Sequence, residues 1–418
     1  MTQRLTLNAV VDAAAARVVV TRDADGNVAE AAFDLAGLPR VEALLIGRPT
    51  AEVPALVERL CGICPAAHHL AGVRALESLA GTGTAPPVPP AAQAVRRLLH
   101  HGSVIAIHIV AMIAGDRDDA LRLRAFAKSA MAAAGSPGHF PATAIPGGVV
   151  ASVGEDLRLA CLDLAAPAMD AAVRIADRAL GAPRPPDAFA GADVALVAAD
   201  GRPDLFGERL RAVAADGALV IADAAAADWD ALVAEADPGA SAPRPYLVGL
   251  GADRGGYRVG PVAQLRVGEL STPVAAELQR RWRRDGGGAA AARAIVTVHA
   301  VETVETLLRA PELFAGPLAT PVGPARPGAG VGWVDGARGL LVHRYLAAPD
   351  GTLADATILT PTAQNEHWLG ELLRQAVTGD QGVAGLEDAI HEADPCLPCS
   401  AAPTGMMGLV VEDLTERR

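Results

Sequence analysis

Two pairs of cysteines in the C-x-x-C pattern stand near opposite ends of this 418-residue chain. The first pair is Cys61 and Cys64, the second is Cys396 and Cys399, and 335 residues separate their first members. Local zinc modules place their cysteine pairs within a few tens of residues. One site that uses both pairs must therefore lie at the centre of the fold. This spacing favours a single domain over residues 1–418 in which the two end regions meet.

The composition is that of a globular protein, with 51% hydrophobic and 20% charged residues. The net charge of −12 excludes a general affinity for nucleic acid, because phosphate contacts need a basic surface. No segment is long and apolar enough to span a membrane, and the N-terminal residues lack a secretory pattern. We therefore predict a cytoplasmic protein without a nucleic-acid partner. In that compartment, paired cysteines more often serve metal or redox chemistry than structural disulfides.

The hydrophobic pattern predicts an α+β fold that is mainly helical. Strand patterns fill residues 5–33, where the turn signal Asp25-Gly26 predicts that residues 28–33 return antiparallel as a hairpin, and they recur in short pieces between 192 and 270. Helical periodicity covers residues 69–80, 91–133, 154–180, 273–284, 290–310 and 363–377. Because residues 104–114 are almost uniformly apolar, we expect a long buried helix inside a bundle. Residues 1–40 would form an N-terminal strand region and 192–270 a strand-rich insertion, with small antiparallel sheets at the periphery.

Longer motifs surround both cysteine pairs. Residues 58–68 read ERLCGICPAAH, with Glu42 sixteen residues before the first glutamate, and residues 394–399 read DPCLPC. Further motifs are YRVGPVA at 257–263, DGARGLLVH at 335–343 and TPTAQN at 360–365. Together they resemble the large subunit of nickel–iron hydrogenases, in collinear order over about residues 17–402. The YRVGPVA run is similar to that of the family's short cytoplasmic members.

The resemblance implies a nickel–iron centre whose iron also carries carbonyl and cyanide ligands. Cys61 and Cys396 would be terminal nickel ligands, and Cys64 and Cys399 would bridge nickel and iron. Soft metals prefer thiolates, and coordination keeps the cysteines deprotonated. One of them would then be a candidate proton acceptor when H2 is split.

The same resemblance assigns roles to three residues outside the cysteine pairs. Arg338 would overhang the metals, donate to a cyanide and strengthen a base at the open nickel site. His68 would be a partner of a bridging sulfur without binding the metal. Glu42 matches a glutamate that binds magnesium. Ordinary alternatives are a surface ion pair for Arg338 and a solvated carboxylate for Glu42, while Cys161 is expected to be a packed thiol.

The implied function is the reversible heterolytic cleavage of H2, with H2 and protons as substrates. Electrons would pass to an iron–sulfur small subunit, because this chain has no spare cysteine set for clusters. Maturation chaperones would be further partners.

The chain departs from the family pattern at four places. The N-terminal relay glutamate is missing unless Asp12 replaces it, and Pro39-Arg40 stands where the family has Arg-Gly before Glu42. His391 replaces an arginine, and Ala402 replaces the His or Arg at the family's C-terminal processing site. Two alternatives therefore stay open. One is a hydrogenase-like scaffold that carries the iron–carbonyl–cyanide unit during maturation, and the other is a structural zinc protein with four cysteine ligands.

Overall fold

The computed structural model describes residues 16–35, 41–80, 88–113, 115–182, 187 and 189–415. Its helices are α1 (Val53–Val57), α2 (Pro65–Ala80), α3 (Pro90–Met112), α4 (Arg117–Ala133), α5 (Glu155–Asp163), α6 (Ala165–Leu180), α7 (Trp229–Leu232), α8 (Pro261–Val267), α9 (Pro273–Asp285), α10 (Ala289–Arg309), α11 (Pro361–Gln364), α12 (Glu366–Thr378) and α13 (Gly382–Ala393). Its strands are β1 (Arg17–Arg22), β2 (Val28–Phe33), β3 (Ala144–Ile145), β4 (Gly148–Val149), β5 (Ala192–Val197), β6 (Arg209–Val213), β7 (Leu219–Ala225), β8 (Val233–Glu235), β9 (Pro245–Leu247), β10 (Tyr257–Arg258), β11 (Gly328–Gly336), β12 (Gly339–Ala347), β13 (Leu353–Leu359) and β14 (Val410–Thr415). The strands form small separate sheets, which confirms the mainly helical α+β fold.

The N-terminal strands form the predicted hairpin, and the last described strand joins them. β1 pairs antiparallel with β2, and the side chain of Asp23 accepts a 2.9 Å hydrogen bond from the Asn27 backbone N–H in the turn. β14 pairs in parallel with β1 along its whole length. Chain segments from both ends therefore meet in one sheet. Within the predicted strand region 1–40, residues 1–15 and 36–40 lie outside the described residues, and so do Asp12, Pro39 and Arg40.

The helical bundle is built around α3. Val104 and Ile105, in its apolar centre, are at most 1% exposed, which confirms the predicted buried helix for this part, whereas Val110 and Ile113 at its end are 46% and 42% exposed. α2, α4 and α10 pack on α3, and α6 packs on both α4 and α10. No helix in the described part of the chain is long and apolar enough to cross a membrane.

Two predicted long helices are each divided in two. The segment 91–133 forms α3 and α4, because the Asp116 side chain caps α4 by accepting a 3.0 Å hydrogen bond from the Asp119 N–H. The segment 154–180 forms α5 and α6. There, Pro167 lacks the N–H that the carbonyl of Asp163 would need for the helix to continue.

The strand-rich segment contains one four-stranded sheet in the order β10-β5-β6-β7 and a separate β8–β9 hairpin. Val194 and Leu196 of β5 share a hydrophobic cluster with Trp333 and Val342 of β11 and β12. A larger core runs through the helical bundle and contains side chains from Ala16 to Met407. The assignment of residues 192–270 as an insertion in a single domain stays a prediction.

A three-stranded meander, β11-β12-β13, was absent from the sequence-based expectations. β11 and β12 pair antiparallel over nine residues each, and the turn between them contains only Ala337 and Arg338. Nearly all residues of β12 are buried, so the alternating pattern that marks a half-buried strand is missing. β11 lies directly on α2, because an added Cβ at Gly330 or Gly332 would overlap the α2 backbone.

Candidate metal centre

The first cysteine pair lies in the loop between α1 and α2. Cys64 directly precedes the first residue of α2, and its carbonyl accepts a 3.3 Å hydrogen bond from the His68 N–H. The sulfur of Cys61 accepts the backbone N–H of Ile63 at 3.4 Å and lies 3.1 Å from the sulfur of Cys64. The N-terminus of a helix carries partial positive charge, which favours a thiolate at this position.

The second pair follows α13. Asp394 ends this helix in the left-handed conformation, with φ of 47°. The backbone N–H of Cys396 then donates to Thr362 Oγ1 at 2.7 Å. The Ser400 hydroxyl bonds two carbonyls of the same loop at 2.8 and 2.9 Å. These contacts hold the loop in a defined turn.

Sulfur atoms from both pairs converge. The sulfur of Cys396 lies 3.7 Å from that of Cys64 and 4.0 Å from that of Cys61. Cys399 is buried in the same loop as Cys396, but its sulfur forms none of these contacts. Cys161 lies elsewhere, on α5, where burial raises the pKa of its thiol to about 11. This agrees with the expectation of a packed thiol.

The three converging sulfurs lie too close together for all of them to be ionised in the protein alone, because their negative charges would repel one another. Hydrogen bonds from Cys396 and Cys64 hold the pKa of Cys61 well below its ordinary value. The contact with Cys61 raises the pKa of Cys396 to about 12, and the pKa of Cys64 is also raised by its sulfur neighbours. In the metal-free protein, this geometry supports one thiolate that accepts hydrogen bonds from two neutral thiols. A bound metal would allow the others to ionise.

Arg338 reaches this cluster from the turn between β11 and β12. Its Nε donates to Asp394 Oδ1 at 3.0 Å, and its Nη1 lies 3.9 Å from the Cys396 sulfur. The turn itself is held from α3, where His108 Nε2 lies 2.7 Å from the Ala337 carbonyl. Arg338 is only 9% exposed, so it is not the surface ion pair of the ordinary alternative.

His68 lies in the first turn of α2, beside the sulfurs. One of its ring nitrogens is within 4.8 Å of the Cys61 and Cys64 sulfurs, and its Nδ1 is 3.0 Å from His343 Nε2. The neighbouring His69 points elsewhere. Its Nε2 accepts from the Ala144 N–H at 3.0 Å, which leaves Nδ1 to donate to a backbone carbonyl. His69 is thus a packed histidine.

A cavity of about 320 Å³ opens over the sulfurs. Six of the predicted site residues line it, namely Glu42, Cys61, Cys64, His68, Arg338 and Cys396. Glu42 belongs to a 3-10 turn at Val41–Leu44 on the wall of the cavity.

The family model and the relatives that match this chain are all hydrogenases. The model of nickel-dependent hydrogenases matches residues 40–113, which include the first cysteine pair. The vhu F420-non-reducing hydrogenase of Methanococcus voltae has a subunit that is 29% identical over 402 residues, covering 86% of this chain and 94% of that protein. The beta subunit of the NAD-reducing hydrogenase HoxS of Cupriavidus necator is 28% identical over 456 residues, covering 94% and 93%.

A solved structure of an NAD+-reducing [NiFe]-hydrogenase in the H2-reduced state has a TM-score of 0.79 to this chain. The two chains are 29% identical, and the match covers 91% of this chain and 95% of that one. This chain is therefore similar to [NiFe]-hydrogenases over 91% of its length. The resemblance inferred from the motifs is confirmed.

The cysteine cluster suits the nickel–iron centre of this hydrogenase family. Thiolates are the ligands that soft metals prefer, and three sulfurs lie within 4.0 Å of one another. The residues present therefore fit the metals.

Several contacts in this candidate site were not expected from the sequence. Asp394, Thr362 and His343 all lie inside the quoted motifs, yet their roles depend on contacts with distant residues. Asn365 is a fourth example, because its amide bonds the backbone N–H and carbonyl of Val259 at 2.8 and 3.3 Å. Their place in motifs around the expected ligands was the one signal that the sequence offered.

Proposed function

We propose that this chain is the catalytic large subunit of a nickel–iron hydrogenase, which cleaves and forms H2 heterolytically. One observation carries the proposal. Sulfurs from both ends of the chain converge within 4.0 Å, and Arg338 is directed at one of them by Asp394.

In this proposal the four cysteines Cys61, Cys64, Cys396 and Cys399 would hold the nickel and the iron. The bound metals would supply Lewis acidity to polarise H2 and accept its two electrons. The fourth ligand, Cys399, is buried three residues after Cys396, in a loop that the Ser400 hydroxyl holds.

The protein side chains would manage protons and orientation. A terminal sulfur, Cys61 Sγ or Cys396 Sγ, takes the proton released from H2. Arg338 holds a fixed positive charge over the cavity, where its remaining donors can meet a cyanide ligand of the iron. Asp394 keeps that guanidinium in place, and His68 lies beside the sulfurs of the first pair.

An iron–sulfur small subunit would receive the electrons. Apolar side chains stand exposed on segments next to the centre, including Leu44, Ile46, Phe140 and Val150 at 62%, 50%, 45% and 57% exposure. Arg59, beside the first cysteine pair, stacks over Phe140 at 5.9 Å, which places that loop near the centre. Exposed apolar groups of this kind are typical of subunit interfaces.

Four further assignments complete the proposal. Glu42, on the cavity wall, would bind magnesium through its carboxylate. Maturation chaperones would deliver the metals, the location would be cytoplasmic, and the chain would form one domain. The single core that contains both Ala16 and Met407 supports the last point.

The test is purification of the chain together with its small subunit. We expect reduction of a viologen dye under H2, stoichiometric nickel, and carbonyl and cyanide bands in the infrared spectrum. Cys396→Ala should lose nickel and activity, whereas Cys161→Ala, which removes a cysteine from α5, should keep both. Absence of nickel together with absence of activity would overturn the proposal.

A scaffold that carries only the iron–carbonyl–cyanide unit is the second candidate. It is favoured by Ala402 at the processing position, where the Ala402 carbonyl lies 2.8 Å from His391 Nε2. This candidate predicts carbonyl and cyanide bands with iron but without nickel, and a complex with chaperones in place of a small subunit. Zinc as the sole metal would instead support the structural alternative.

A further inference from the structure

A row of three hydrogen-bonded side chains leads from the cysteine cluster into the interior. His68 Nδ1 lies 3.0 Å from His343 Nε2, and His343 Nδ1 lies 2.5 Å from the Tyr345 hydroxyl. His68 is 5% exposed, and His343 and Tyr345 are fully buried. Within the described part of the chain, His343 is the hydrogen-bond partner of the Tyr345 hydroxyl.

The arrangement follows from the packing of β12 on α2. His343 and Tyr345 are alternate residues of β12 and share one face of the sheet. His68 and Gly72 lie one turn apart on α2, on the same side of the helix. A Cβ at Gly72 would stand 2.9 Å from Val57 Cγ2, 3.0 Å from the Tyr345 oxygen and 3.7 Å from His343 Nδ1. The glycine therefore leaves room for the hydroxyl beside the helix backbone.

The order of these hydrogen bonds determines where the protons lie. A buried hydroxyl with one partner must donate to it, since an unpaired O–H would cost about 1–3 kcal/mol. Tyr345 therefore donates to His343 Nδ1. Burial lowers the pKa of His343 well below its usual range and raises that of Tyr345, so both stay neutral.

A neutral imidazole has one donor and one acceptor nitrogen. With Nδ1 accepting from Tyr345, His343 carries its proton on Nε2 and donates to His68 Nδ1. His68 in turn carries its proton on Nε2, the ring nitrogen that the contact with His343 does not use.

We propose that Tyr345 and His343 are positioning residues that hold His68 as an Nε2–H donor toward the cysteine sulfurs. An N–H aimed at a thiolate stabilises its charge, whereas the lone pair of the opposite tautomer would repel it. The proton position depends only on the protein, while its effect on the metals rests on the proposed function.

The proton position is measurable in the full chain without metals. Histidines labelled with 15N report their tautomer in long-range 1H–15N correlation spectra, and His68→Gln assigns the signal of His68. We expect the Nε2–H form in the native chain and a mixture of both forms in Tyr345→Phe. An Nδ1–H form of His68 in the native chain, or no change in Tyr345→Phe, would overturn the proposal.

Tyr257→Phe is the matched control. Tyr257 is also fully buried, and its hydroxyl donates to Gln364 at 3.2 Å, away from His68. It should leave the His68 tautomer unchanged. Gly72→Ala provides a second variant, because its methyl group displaces the hydroxyl without removing it, and it should reproduce the tautomer mixture.

The loaded enzyme gives an independent readout. Loss of the N–H donor leaves more electron density on the sulfur and the metals, so the carbonyl band should move to lower frequency in Tyr345→Phe. The band should not move in Tyr257→Phe, and an unmoved band in both variants contradicts the effect on the metals. A chain without any carbonyl band would refute the proposed function, and the tautomer result would still decide the positioning role.

Discussion

Arg338 Nε donates to Asp394 Oδ1 across 3.0 Å, and this contact joins the β11–β12 turn to the loop of the second cysteine pair. Arg293 lies 3.4 Å from the other oxygen of the same carboxylate. Burial opposes ionisation of Asp394, but Arg293 and Arg338 hold its pKa below the ordinary value. The carboxylate is therefore charged and orients the guanidinium that faces Cys396.

Asp394→Asn should weaken this orientation while leaving every cysteine in place. We expect the kcat of H2 oxidation to fall by roughly 10- to 100-fold with nickel content retained, as is typical when a group behind a metal site is lost. Viologen-reduction kinetics and metal analysis check both points. Asp230→Asn is the control, because it breaks an exposed pair with Arg344 and should leave kcat unchanged. Unchanged kcat in Asp394→Asn would contradict the role of this pair.

Glu77→Gln should destabilise the fold strongly. Glu77 pairs with Arg96 at 2.6 Å, with both side chains at most 4% exposed, and it accepts the Gly147 N–H at 2.7 Å. Loss of its charge leaves Arg96 buried without a counter-charge, at a cost of about 3–5 kcal/mol. Chemical unfolding measures the change.

The control for Glu77 is Glu155→Gln. Glu155 also pairs with an arginine at 2.6 Å, but its side chain is 58% exposed. It should change stability little, since water screens such pairs. If both variants lowered the free energy of unfolding equally, the buried Glu77–Arg96 pair would contribute no more to stability than the exposed pair.

Met407→Ala tests whether the segment before β14 is part of the core. Met407 is 1% exposed, and its N–H reaches Glu387 at 3.4 Å. Truncation of a buried methionine costs about 2–5 kcal/mol through lost contacts and the cavity left behind. Its neighbour Met406 is 74% exposed, so Met406→Ala should have little effect in the same unfolding experiment.

His101→Leu should reduce the loss of stability in mild acid. Burial lowers the pKa of His101 well below 6.5, and neither ring nitrogen has a hydrogen-bond partner in the described structure. Below pH 6.5, His101 therefore becomes protonated in the unfolded chain but stays neutral in the folded chain. This residue alone then removes about 1.4 kcal/mol of stability per pH unit.

Unfolding curves at pH 7 and pH 5 measure this difference. The difference in the free energy of unfolding between pH 7 and pH 5, called the gap below, should be smaller in His101→Leu than in the unchanged chain. His139→Leu, at an exposed histidine, should leave the gap as it is. An equal gap in all three proteins would show that His101 takes no part in acid sensitivity.

Local patterns were sufficient for part of the fold. The β1–β2 hairpin and the buried centre of α3 depend on residues close in sequence, so alternation and apolar runs revealed them. The β11-β12-β13 meander was missed, because β11 and β12 are largely buried on both faces and lack alternation. The division of the two long helical segments depended on single residues, Asp116 and Pro167, whose effect is local but easily overlooked.

The sequence by itself was sufficient to predict the residues of the candidate metal centre, because the spacing and neighbours of Cys61, Cys64, Cys396 and Cys399 can be read directly from the chain. Only the tertiary structure decided what those residues meet. The approach of Cys396 to Cys64, the Arg338–Asp394 pair and the His68–His343–Tyr345 row each join segments 56 or more residues apart in at least one contact. Such contacts form when β12, α2 and the loop after α13 pack together. No local pattern encodes them, because their energy comes from burial and hydrogen bonding between distant parts of the chain.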